Sequence, residues 1–105
     1  MITPELQLRL IVSMAQPRLE AITDDVASQP RAPGKWSRKE IVGHLIDSAS
    51  NNHQRFVRAQ FTDDLICAPY DQDAWVSTQR YGAAPWRDLI ALCAHFNVQI
   101  ARVMD

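Results

Sequence analysis

Ala32-Pro33-Gly34-Lys35-Trp36-Ser37-Arg38-Lys39-Glu40-Ile41-Val42-Gly43-His44-Leu45-Ile46-Asp47-Ser48-Ala49-Ser50-Asn51-Asn52-His53-Gln54-Arg55-Phe56-Val57 is the stretch that decides the fold. It opens as a loop, because Pro33 and Gly34 punctuate the chain. Ser37 and Glu40 then have capping-box spacing. The serine side chain accepts from an orphan backbone N–H, and the glutamate reaches back to the cap. Trp36 precedes the cap, where an apolar residue packs as a hydrophobic staple. This spacing predicts a helix from about Arg38 to Gln60.

The predicted helix is two-faced. At about 100° per residue, Asp47, Ser48, Asn51 and Arg55 all fall within about 60° of His44. Leu45, Ala49 and Phe56 gather on the other side, flanked by Val42 and Ile46. Two readings of the polar face stand. An amphipathic helix turns such a face to solvent. Yet this face lacks Lys and Glu, and it combines an imidazole, a carboxylate, an amide and a guanidinium, a mixture suited to a binding cleft. His53 lies about 180° from His44, so the two cannot share a metal on one helix. Neither HxxxH nor HExxH spacing occurs in the chain.

Outward from this helix, helical spacing dominates. A first helix is predicted from Thr3 as N-cap and Pro4 at the first helical position. Its core stripe reads Leu8, Ile11, Ala15, Leu19, Ile22 and Val26, with a kink or break expected just before Pro17. A long connection runs from Phe61 to Asp73. Asp73 is then read as the cap of a short helix through Trp75 to Tyr81, stopped by Gly82. Pro85 opens a last helix with Trp86, Leu89, Ile90, Cys93, Phe96, Asn97, Ile100 and Met104 on one side. Cys93 is expected to be an inert buried thiol and Cys67 a loop residue with no neighbour in sequence to activate it. His95 is expected on the solvated side. Asn97 is expected to need a hydrogen bond within the apolar arc.

The chain of 105 residues suits one domain, 1–105. Its net charge of −1 is mixed along the sequence, which excludes a nucleic-acid stripe. No apolar run approaches the roughly 18–20 residues of a membrane span, and no signal peptide is apparent. Two cysteines without CxxC spacing fit free thiols in the cytoplasm.

The run from Ala32 to Ser48, with its Trp36-Ser37 turn and His44-Leu45-Ile46-Asp47-Ser48, resembles the signature of the DinB-like superfamily. That superfamily includes YfiT-type metal-dependent hydrolases and bacillithiol S-transferases. Asn51-Asn52-His53-Gln54-Arg55-Phe56-Val57 resembles one subgroup, and Pro69-Tyr70-Asp71, Trp75-Val76, Gln79-Arg80-Tyr81 and Asn97 follow in matching order. The resemblance implies an all-α, up-down helical bundle, here three long helices plus a short one. It implies a divalent metal, zinc or nickel, held by three histidines, of which His44 takes the first place. The other two belong to an HxxxH pair on a final helix that has no counterpart in this sequence.

These expectations give two functions. The first is metal-dependent thiol transfer or hydrolysis. There His44 is the ligand, Asp47 orients the imidazole or acts as base, Asn51 lines the cleft, and Arg55 steers an anionic small-molecule or thiol substrate. The second is a non-catalytic, dimeric helical module that has lost the metal site. Either way a homodimer is expected, because a bundle short of one helix leaves apolar faces open.

Overall fold

The structure, a computed structural model, describes residues 2–66 and 68–104. Its elements are α1 (Pro4–Glu20), α2 (Asp24–Ser28), α3 (Arg38–Ala59), α4 (Gln72–Gln79), a 3-10 turn (Tyr81–Ala83) and α5 (Trp86–Met104). Among the described residues there is no strand, only an isolated bridge between Pro30 and Ser37. The fold is therefore all-α, with three long helices as expected and two short ones rather than one.

The extra short helix arises from a misplaced break. α1 runs through Pro17 to Glu20 without interruption. The chain turns at Ala21–Thr23 instead, where Thr23 Oγ1 accepts the N–H of Val26 and starts α2. A proline removes one helical hydrogen bond, whereas a threonine cap nucleates a new helix, and here the cap decides. The stripe of α1 also differs from its reading. No residue of α1 is buried, Ile11 is 62% exposed, and Val26 beyond it is exposed too. α1 packs along α5 and leaves its other flank open.

α3 begins as the sequence predicts. Ser37 Oγ accepts the N–H of Glu40, while the Glu40 carboxylate accepts from the Ser37 N–H at 3.1 Å. α4 is capped by Asp71, not Asp73, since Asp71 Oδ1 accepts the N–H of Ala74. It ends at Arg80, which adopts the left-handed conformation at φ 56, rather than at Gly82.

Three distant segments meet at Asp24. Its Oδ1 accepts from Lys39 Nζ at 3.0 Å, and its Oδ2 accepts the otherwise orphaned N–H of Trp86 at the start of α5. The Trp86 N–H, and then Lys39, hold the Asp24 carboxyl below the usual carboxylate range. Trp86 itself is buried and donates its indole N–H to the Leu19 carbonyl. Around it Ala27, Val42, Ile46, Val76, Tyr81, Leu89 and Ile90 form the core.

An apolar groove of about 460 Å³ remains between α1, α3 and α5, lined by Leu8, Leu19, Leu45, Phe56, Ile90 and Met104 among others. No helix among the described residues is long and apolar enough to cross a membrane.

Candidate metal centre and the polar face of α3

Gly43 is the point on which the site is built. The short helix α4 and the 3-10 turn lie across α3, and the ring of Tyr81 rests directly on the Gly43 backbone. A side chain at position 43 would occupy the place of that ring. One turn further on, Tyr81 donates its hydroxyl proton to Asp47 Oδ1 at 2.6 Å, and Gln79 Nε2 donates to the same oxygen. Tyr81 is also 2.8 Å from Gln79 Oε1. Burial, and then the neighbouring Asp47 carboxylate, push the Tyr81 phenol well above its ordinary value.

Asp47 is thus not a solvated residue of a polar face but is 1% exposed. Its second oxygen, Oδ2, is buried without a partner among the described residues, and so is His44 Nδ1 one turn before it. Buried polar atoms without partners are rare and call for an explanation. The His44 ring lies against Trp36, with centroids 5.4 Å apart and planes tilted by 39°. The residue before the helix cap therefore serves as a wall for the imidazole as well as packing on the core.

Asn51 and Arg55 stand elsewhere along α3. Asn51 donates its side-chain N–H to the Asp47 carbonyl at 2.8 Å, which leaves it folded back on its own helix. Arg55, three turns after His44, is about 16 Å along the axis. It lines a separate polar cleft of about 330 Å³ with Ser48, Asn51, Asn52, Pro69, Tyr70 and Gln72. His53 turns away from both and meets Phe96 edge-on at 5.6 Å, as a boundary histidine does. His95 is exposed. Asn97 donates to the Cys93 carbonyl at 2.8 Å. Cys93 is a free, half-buried thiol whose pKa is pushed up by burial. Cys67 lies outside the described residues.

The donor set bears directly on a metal. Among the described residues, no three His, Cys, Asp or Glu side chains gather to hold one. His44 and Asp47 offer two ligands at most, and Asp47 Oδ1 is already committed to Tyr81 and Gln79. A catalytic zinc takes three protein ligands and keeps one open position. The described residues therefore do not complete such a site by themselves.

A model of the DinB superfamily matches residues 7–104. This chain belongs to that superfamily. It is similar to the Bacillus subtilis protein named "Putative metal-dependent hydrolase YfiT", with 33% identity over 57 residues. That match takes in 54% of this chain and 32% of the relative. A solved structure of YfiT from Bacillus subtilis, described as a probable metal-dependent hydrolase with an unusual four-helix bundle topology, superposes with a TM-score of 0.77 at 22% identity. It covers 99% of this chain, which spans 63% of that structure. At that identity the likeness shows the fold, and the DinB fold is the one the signature around His44 implies.

Sequence reasoning missed three features of this site. Tyr81, Gln79 and the tilt of Trp36 onto His44 arise from tertiary packing. Two signals were available: Gln79-Arg80-Tyr81 follows the family's order, and a glycine immediately before His44, inside a strongly started helix, marks a place where another group comes close.

Proposed function

We propose that this DinB-superfamily chain supports metal-dependent hydrolysis or thiol transfer, with His44 as one ligand of a divalent metal, zinc or nickel. The observation that carries the reading is the His44 imidazole: walled by Trp36, it has a buried Nδ1 with no partner among the described residues, one turn before the buried Asp47 carboxylate, whose Oδ2 has none there either. A carboxylate that accepts the ring N–H of a ligating histidine orients it and tunes its basicity, and Asp47 Oδ2 is the oxygen left over for that role. In this reading Asp47 positions the imidazole, Asn51 braces the turn of α3 that carries Asp47, and Arg55 draws an anionic small-molecule or thiol substrate to the helix. The remaining ligands come from outside the described residues, such as a second copy of the chain. The free Cys93 thiol is in keeping with a cytoplasmic setting.

The test is calorimetric titration of zinc and nickel into chelator-stripped protein. Binding that is lost in His44→Ala and kept in His53→Ala is the expected result. Equal binding by wild type and His44→Ala, or less than about a tenth of an equivalent in the wild type, overturns the reading.

A second reading is favoured by the apolar groove. There the chain is a non-catalytic module that pairs with a second copy. α1 exposes Leu10, Ile11 and Met14 beside its own groove, so two copies offer each other matching apolar surface. Light scattering at micromolar concentration distinguishes a dimer from a monomer.

A further inference from the structure

The cleft around Arg55 is rich in unspent hydrogen-bond donors. The guanidinium carries five N–H groups. Among the described residues its one hydrogen bond is a long contact of 3.4 Å to Asn52 Oδ1, and it has no carboxylate partner. Arg55 as a whole is half-buried along the cleft. Ser48 Oγ and Tyr70 Oη lie 3.2 Å apart. That single hydrogen bond uses one of their two hydroxyl protons and leaves the other free to donate. Asn52 and Gln72 add amide N–H groups, and among the described residues no Asp or Glu lines the cleft.

The outer wall is fixed rather than loose. Tyr70 is tied to α3 through Ser48 and packs on Trp75, with ring centroids 5.1 Å apart. Trp75 belongs to α4, whose cap at Asp71 directly follows Tyr70. The cleft thus has a charged floor from α3 and an aromatic wall from the connection before α4. Its volume of about 330 Å³ lies at the small end of ligand pockets.

We infer that this cleft is a binding site for a small carboxylate, held by Arg55 with Ser48, Tyr70 and Asn52 as further donors. A planar guanidinium pairs with a carboxylate through two parallel N–H···O bonds. One unpaired guanidinium balances a single negative charge. A phosphate monoester carries roughly −1.5 to −2, and among the described residues the cleft has no second cation for it. The site needs no metal at His44.

The experiment titrates the monocarboxylate butyrate, inorganic phosphate and the neutral control butyramide into chelator-treated protein, followed by amide chemical shifts. Butyrate is expected to give saturable shifts at Ser48, Asn52, Arg55 and Tyr70, and butyramide none. Arg55→Gln is expected to weaken butyrate roughly tenfold or more. Arg58→Gln, at an exposed arginine one turn on, leaves affinity unchanged. Arg55→Lys, which keeps the charge but loses the paired geometry, falls between. Absence of saturable shifts, or equal weakening by Arg58→Gln, overturns the proposal. Tighter binding of phosphate than of butyrate overturns the carboxylate assignment. Because metal is absent throughout, none of these results depends on the His44 reading.

Discussion

Replacing Gly43 by alanine sets two well-known effects against each other. Alanine in a helix interior is favoured over glycine by about 1 kcal/mol, so an exposed site would gain stability. Here the new Cβ would lie 2.7 Å from Tyr81 Cε2 and nearer still to two other ring carbons. Reaching ordinary contact at 3.4 Å requires the ring to retreat 0.7 Å at Cε2, the difference of those two distances, and about twice that at Cδ2. The Tyr81 hydroxyl sits 2.6 Å from Asp47, and such a retreat breaks that bond. A hydrogen bond to a charged group contributes about 1.5–3 kcal/mol, and overpacking a core costs about 1–3 kcal/mol. The clash wins, and Gly43→Ala is expected to destabilise the chain by about 2–4 kcal/mol. In a domain of this size that lowers Tm by roughly 8 °C or more. Urea unfolding followed by circular dichroism measures it, with Gly82→Ala as reference, since nothing lies within 4 Å of a Cβ there. In a Tyr81→Ala background, adding Gly43→Ala should cost nothing further. A Gly43→Ala protein as stable as wild type would refute the argument that Tyr81 is seated on α3.

Asp24 and Tyr81 give opposite pH signatures. The Asp24 carboxyl is lowered in the folded state, so its contribution is complete above the unfolded value near 3.8 and fades as pH falls through the lower folded value. Asp24→Asn should be less stable at pH 7, and its stability should fall less steeply below about pH 4 in urea titrations at stepped pH. The Tyr81 phenol is raised, so its contribution is complete below the unfolded value near 10.0 and is lost as pH rises beyond it. Tyr81→Phe should show a shallower loss of stability than wild type above about pH 10, by about one proton in the slope.

Much of the fold was legible because its signals are local. The Ser37–Glu40 capping box, Pro4 in the first turn of α1 and the apolar spacing of α5 each act within a turn or two. The break in the first helix was misplaced because Pro17 is tolerated within α1 while Thr23 supplies a cap. The start of α4 went to Asp73 because two nearby aspartates compete, and only the fold shows which side chain reaches Ala74. For the site, angular position found His44, Asp47, Asn51 and Arg55 on one face. It carried no information about what lies over each turn. Tyr81 and Gln79 come from 34 and 32 residues beyond Asp47, so no local pattern reports their arrival. The same covering divides one apparent face into a buried centre near His44 and a separate cleft near Arg55.

α1 has no buried residue and leans chiefly on α5, while α3 and α5 enclose the core. Segments with few buried contacts open at the lowest free energy. The apolar groove thus has two stiff walls and one that yields. Its capacity is set by how far the N-terminal part of α1 swings about its C-terminal end, where Leu19 accepts from the Trp86 indole, and an occupant larger than the space now present is admitted without loosening Val42 or Ile46. The long helix with no buried residue is the one that determines what the chain can accommodate.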